Sequence, residues 1–295
     1  LYTRAPTHSK QAGNLSTQFL IGGRSAEPTD WNSIRPARTA PKGRGKCASN
    51  TAPTAAQYDS RQAQKTEMKI EKCSSHSDAL EKLADKIESD SQKPGDFCIA
   101  FSGGESAKKM FPVLARRNMD FSRFKIFFVD ERCVFPESQD SNYRWARELF
   151  IEPLNIPKER VFRLRGEECP ITAAEEASKA ALENVPSENG FPVFDCVVLG
   201  VGADMHTASI FPDTPGLLDS PKVYAACRPQ TSKFWRITLT GKALLNSRDT
   251  LALLIGESKA PVLKRLEESV QNGDFSTPSA AILGRSKNCT VFVSV

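Results

Sequence analysis

Asp204 and His206 hold the clearest chemical signal in the chain. They stand two residues apart in GVGADMHTASIFP, residues 200–212, in a loop flanked by Gly200 and Gly202. An imidazole titrates near neutral pH, so it is the natural side chain for activating a water molecule. A nearby carboxylate fixes its tautomer or raises its basicity. Beyond residue 60 the only other histidine is His76, which opens a surface-type helical pattern. Upstream, Ser102-Gly103-Gly104 offers a second kind of chemistry. Paired glycines let backbone N–H groups approach an anion, and a following helix N-terminus favours negative charge. Ser102 adds a hydroxyl donor. A third motif, Asp130-Glu131-Arg132, supplies a guanidinium suited to bidentate phosphate recognition, with one or both acids free to orient it or a neighbouring histidine. Ser141-Asn142-Tyr143 reads as the N-cap of a helix.

The elements that must carry these motifs alternate. Helical spacing marks residues 76–89, with Ala79, Leu80, Leu83 and Ile87 on one face. Helices are also expected over 105–117, 141–150, 171–185 and about 258–269. Short apolar runs predict strands at 97–101, 124–129, 194–201, 236–240, 250–255 and 289–295. Alternating strands and helices imply an α/β fold, with a mostly parallel central sheet and helices on both faces. Such sheets bind ligands beyond the carboxyl ends of their strands. Each motif follows a predicted strand directly, so the motifs are expected to form one site.

The third run resembles the 6-phosphogluconolactonase signature Gly-x-Gly-x-Asp-Gly-His-Thr-Ala-Ser-Leu-Phe-Pro. It departs from that pattern at Met205, where the family usually has glycine, and mildly at Ile210. The order of motifs is similar too: Ser-Gly-Gly, Asp-Glu-Arg with a later Ser-Asn-Tyr, the His loop, the Arg-Ile-Thr-Leu-Thr strand at 236–240, and Gly256-Glu257-Ser258-Lys259. The resemblance spans roughly residues 70–295. It implies hydrolysis of 6-phosphogluconolactone in the oxidative pentose phosphate pathway, without metal or organic cofactor. By position, His206 and Asp204 would be catalytic. Ser102, Gly103, Gly104, Asp130, Arg132, Gly202, Lys233 and Arg236 would contact the substrate. The usual Lys-Pro-Pro run is missing, so Lys233 or Arg228 would stand in for the family's phosphate lysine, with Lys233 the favoured of the two. Met205 replaces a glycine that a positive φ or a close backbone approach would require. No Gly-x-Ser-x-Gly elbow is present, which favours direct attack by water over an acyl-enzyme.

Two other readings differ in class. A glucosamine-6-phosphate deaminase-like isomerase would need a Glu before the proline of the His loop, where this chain has Ser209-Ile210-Phe211-Pro212. A sugar-phosphate sensor without catalysis would fit Met205 and the missing lysine run.

Composition narrows the partners. The net charge of +5 resides in residues 1–60, which hold eight Lys/Arg against three acids; the remainder is neutral, with 32 of each. A neutral body excludes nucleic acid as the main partner, since phosphate-backbone binding needs surplus cations. No apolar stretch reaches the roughly 18 residues of a membrane span. The expected partner is a small sugar phosphate, and a monomer is favoured. Eight cysteines lack Cys-x-x-Cys spacing and read as reduced, packed side chains. Residues 1–65, rich in Ser, Thr, Ala, Pro, Gly and Arg, are expected to be a disordered basic extension or a targeting segment ahead of a catalytic domain over 66–295. The expected compartment is the cytoplasm, or a plastid or other organelle if that segment is a transit peptide. The first residue is Leu1, so the native start is expected upstream.

Overall fold

The computed structural model describes residues 68–295. The expectations for residues 1–65 lie outside the described residues. The chain runs β1 (Met68–Lys72), α1 (His76–Ser91), β2 (Phe97–Phe101), α2 (Glu105–Ala115), β3 (Phe124–Phe128), β4 (Asp130–Arg132), α3 (Asn142–Ala146), β5 (Val161–Phe162), α4 (Pro170–Asn184), β6 (Ser187–Glu188), β7 (Phe191–Pro192), β8 (Cys196–Leu199), β9 (Tyr224–Cys227), β10 (Arg236–Leu239), α5 (Gly241–Leu245), β11 (Asp249–Ile255), α6 (Ala260–Gln271), α7 (Pro278–Leu283) and β12 (Cys289–Ser294).

Seven strands form the expected parallel sheet, in the order β1-β12-β11-β8-β2-β3-β5. Its central strands are apolar throughout. β2 and β8 are buried at every position, as is β11 after Asp249. A strand buried on both pleat faces needs a layer on each side, which the helices supply. α1 places Ala79, Leu80, Leu83, Ala84 and Ile87 in the core, capped by Ser75, whose hydroxyl accepts from the Asp78 N–H. Phe101, Phe111, Phe121 and Phe150 pack ring against ring between β2, α2 and the π-helical turn 147–151 that continues α3.

One strand lies outside the sheet its position suggested. β10, the Arg-Ile-Thr-Leu strand, pairs antiparallel with β4 and β9 in a second, three-stranded sheet. β1 and β9 carry no long apolar run, and β4 is three charged residues, which is why pattern alone did not mark them as strands.

The seven described cysteines are free. Burial pushes the thiols of Cys98, Cys133, Cys227 and Cys289 up to about 12, so they behave as small apolar side chains. Among the described residues no helix is long and apolar enough to cross a membrane.

Strand order decides where a ligand can sit. From β2 the chain moves outward to β3 and β5. It then returns to β8 on the other side of β2 and continues outward to β11 and β12. The reversal opens a crevice past the carboxyl ends of β2 and β8. The turn 102–104 and the loop 200–206 flank that crevice, and the Ser102 N–H donates to the Val198 carbonyl of β8 at 3.0 Å.

Candidate active site

The first wall of the cleft is the turn from β2 into α2. Gly104 has φ of 88°, a left-handed value that suits glycine. A Cβ on Gly103 would collide with the Asn142 side chain, so only glycine fits there. Gly104 caps α2 without a side chain, which leaves the first-turn N–H groups available to a ligand. The Ser102 hydroxyl is buried and has no protein partner.

The second wall is β4, whose alternation separates its acids. Asp130 and Arg132 face the cleft. Glu131 points the other way and is buried. Its carboxylate accepts from the N–H groups of Arg132 (2.7 Å), Asn142 (2.8 Å) and Tyr143 (2.8 Å) and from the Ser141 hydroxyl (2.9 Å). Burial pushes this carboxyl up to about 7, against four donors that favour the anion. Glu131 therefore pins the 141–143 turn to β4. Ser141 also caps α3, accepting from the Arg144 N–H at 3.1 Å. The Asn142 amide then donates to the Asp130 carbonyl at 2.9 Å. Arg132 donates from Nη1 to the Asp140 carbonyl at 2.7 Å, while its buried Nε has no partner.

β10 brings Arg236 into register beside Arg132. Its guanidinium bonds Ser209 Oγ (3.2 Å) and Ser232 Oγ (3.0 Å) and lies 3.7 Å from Asp130. Asp130 in turn accepts from Ser209 Oγ at 2.5 Å. Burial holds the Arg236 pKa below the usual guanidinium value, with Asp130 opposing.

The third wall is the loop after β8. The Gly202 N–H donates to the His206 carbonyl (2.9 Å), and the Met205 N–H to the Gly202 carbonyl (3.0 Å), closing a tight turn. A Cβ on Gly202 would run into the imidazole. His206 Nδ1 lies 2.5 Å from Asp204 Oδ1, which also accepts from the His206 backbone N–H at 3.2 Å. Partial burial works to raise the Asp204 pKa, but these two bonds hold it below the usual carboxylate range. With Nδ1 engaged, Nε2 is left for a ligand or water.

The cleft has a volume of about 420 Å³. Ser102, Gly103, Gly104, Asp130, Arg132, Gly202, His206 and Arg236 all line it, and Asp204 stands behind His206. Lys233 does not: it is exposed and outside the lining. Two other lysines, Lys109 and Lys259, are in the wall instead. Lys259 donates to the Val201 carbonyl at 2.6 Å. Its Gly-x-x-Lys context was visible in the sequence, but no feature of that context placed it in the cleft. Four cations then face two carboxylates, Glu105 and Asp130, a balance that suits an anionic ligand. Among the described residues no group of three or more His, Cys, Asp or Glu is placed to hold a metal ion.

A family model described as glucosamine-6-phosphate isomerases/6-phosphogluconolactonase matches residues 71–292. The chain belongs to this family. A relative named 6-phosphogluconolactonase, from Aggregatibacter actinomycetemcomitans, is 31% identical over 212 residues, covering 70% of this chain and 89% of that one. A human protein of the same name is 35% identical over 186 residues, covering 60% and 70%. The solved structure of a 6-phosphogluconolactonase from Shewanella baltica matches with a TM-score of 0.69 at 31% identity, covering 78% of this chain and 99% of that one.

Met205 occupies the position where the 6-phosphogluconolactonase signature has glycine. It adopts φ of 69° and is fully buried, and its carbonyl accepts from the Ser279 N–H at 3.0 Å. A left-handed backbone costs a side-chain-bearing residue about 1–2 kcal/mol. Burying the thioether side chain contributes about 1.5–3 kcal/mol in return. Truncation to alanine keeps the strain and loses the burial, so Met205→Ala should destabilise by about 2–5 kcal/mol. Met205→Gly relieves the strain and should be the less damaged variant by about 1 kcal/mol, which urea unfolding of both would measure. An alanine variant more stable than the glycine variant would contradict this account of the turn.

Proposed function

We propose that this chain hydrolyses 6-phospho-D-glucono-1,5-lactone to 6-phosphogluconate. The observation that carries the proposal is the convergence of three loops on one cleft. A carboxylate-paired imidazole stands there with an unpartnered buried hydroxyl, a glycine turn at a helix N-terminus, and four cations. The phosphate is assigned to Ser102, Gly103, Gly104 and Arg132, with Arg236 and Lys259 alongside.

In the reaction, Asp204 holds the Nδ1–H tautomer and His206 Nε2 takes a proton from water as its oxygen attacks the lactone carbonyl. The tetrahedral intermediate collapses, the bond from C1 to the ring oxygen breaks, and the imidazolium returns its proton to that oxygen. A lactone is an activated ester, so general base catalysis of roughly 10²–10⁴-fold, with positioning of the carbonyl against the water, suffices. The isomerase reading lacks its carboxylate, because Phe211 precedes Pro212.

Generating the lactone in situ and following its opening tests the proposal. The protein should speed opening well beyond the spontaneous rate. Binding of 6-phosphogluconate with no acceleration would establish the sensor reading instead. Arg132→Ala should raise KM by roughly 10- to 100-fold with a smaller change in kcat, since hydrogen bonds to charged groups contribute about 1.5–3 kcal/mol. An unchanged KM would remove Arg132 from the phosphate site.

The compartment assigned is the cytoplasm, or a plastid if residues 1–65 act as a transit peptide. A rice relative, 29% identical over 202 residues (64% of this chain and 62% of that one), is named a probable chloroplastic 6-phosphogluconolactonase. A fluorescent reporter fused behind residues 1–65 should enter chloroplasts if the plastid assignment holds.

A further inference from the structure

The His206 imidazole lies flat on the ring of Phe211. The centroids are 4.2 Å apart and the planes differ by 14°. The Arg236 guanidinium carbon lies over the same phenyl ring, 5.4 Å from its centroid. Phe211 is only 6% exposed, yet its ring stands apart from the contiguous core that takes in Met205 and Ile210. Two side chains of the cleft wall therefore lie against its ring.

The backbone beneath the ring is fixed. The Phe211 N–H donates to Thr214 Oγ1 at 2.9 Å, and its carbonyl accepts from the Thr214 N–H (2.9 Å) and hydroxyl (3.2 Å). Pro212 follows and restricts the chain further.

We infer that Phe211 is a positioning residue, a rigid platform that sets the plane of the His206 imidazole and so aims Nε2 at the attacking water. The inference rests on the general-base reading of His206. The hydrogen bond to Asp204 fixes the imidazole at one point, Nδ1, and leaves the ring plane free to tilt about that contact through coupled changes in χ1 and χ2. An offset stack removes that freedom. The Nε2 lone pair lies in the ring plane, so the plane of the ring is the direction of proton transfer. The phenyl face also favours the cationic imidazolium formed when His206 takes the proton. Misplacement by about 1 Å can cost on the order of 10²-fold in rate. Arg236 does not depend on the ring for its position, because Ser209, Ser232 and Asp130 hold it independently. Loss of the ring should therefore act on turnover and not on substrate binding.

The test compares wild type, His206→Ala, Phe211→Leu, Phe211→Met and Phe211→Tyr on lactone generated in situ, with thermal unfolding of each to confirm folding. Proton NMR of the imidazole resonances reports the stack. Phe211→Leu and Phe211→Met should lower kcat by roughly 10- to 100-fold and change KM by less than about 3-fold. Phe211→Tyr should restore most of kcat. The His206 ring protons should be shifted upfield in wild type and Phe211→Tyr and lose that shift in the other two. A folded Phe211→Leu or Phe211→Met variant within about 2-fold of wild-type kcat overturns the inference, as does an equal fall in kcat for Leu and Tyr. In either case an active wild type and an inactive His206→Ala leave the lactonase reading standing. A wild-type protein that does not accelerate lactone opening sinks that reading, and the platform role with it.

Discussion

His206→Ala should lower turnover of the lactone by roughly 10²–10⁴-fold while the protein keeps its fold. The loss is chemical because Nε2 is the one nitrogen of the imidazole left free in the cleft, while the cleft's two carboxylates are already engaged, Asp130 by the Ser209 hydroxyl and Glu105 by Lys108. The fold should survive because the pair lies at the cleft surface outside the core, with 30% of the imidazole exposed and 46% of its partner Asp204. A hydrogen bond this open contributes little, about 0.5–1.5 kcal/mol. Steady-state rates and thermal unfolding of the same preparations measure both halves of the prediction. Residual acceleration in the variant reports what the phosphate clamp achieves alone. A folded variant that turns over like wild type would remove His206 from the chemistry.

Glu131→Ala should have the largest effect on stability. Three backbone N–H groups and one hydroxyl lose their acceptor in a buried place. A buried donor without a partner costs about 1–3 kcal/mol, so even partial rescue by water leaves a loss of roughly 3–5 kcal/mol. For a domain of this size that lowers Tm by on the order of 10 °C. Activity should fall with it, since Glu131 pins the turn whose Asn142 touches both Gly103 and Asp130. The group also carries a pH signature. Its folded pKa, pushed up to about 7 by burial, lies above the ordinary carboxylate value. The folded state therefore holds a proton that the unfolded chain releases. That stabilisation is complete below the unfolded pKa and is lost as pH rises through about 7. The stability advantage of wild type over Glu131→Gln should shrink from about pH 5 to about pH 8, as denaturant titrations at each pH would show. A constant or growing advantage would contradict the assignment.

Much of the frame was legible because buried parallel strands write themselves as apolar runs. FCIAF, FKIFF and CVVL each became a central strand ending at a motif. The Ser141 cap was legible for a similar reason, since capping chemistry is local. β4 was not. A strand of Asp, Glu and Arg exists because Glu131 turns inward to meet donors from a turn ten residues away, a tertiary cause without local signature. The lysines show the same limit. Lys233 sits closer in sequence to Arg236, yet it is exposed. Lys259 reaches the cleft because the turn after β11 faces the loop after β8. Met205 was visible as a departure from the signature, but its burial and its tie to Ser279 depend on α7, which no motif foretold. The Phe211 platform likewise depends on loop geometry that spacing does not encode.

The central claim is spatial: one cleft holds the phosphate at the 102–104 turn and presents the reacting carbon to His206. A crystal structure with 6-phosphogluconate bound tests it most directly. The account predicts the phosphate against Ser102, Gly103, Gly104 and Arg132, and the product carboxylate within about 2.6–3.2 Å of His206 Nε2. A phosphate bound elsewhere, or a carboxylate turned away from the imidazole, would contradict it.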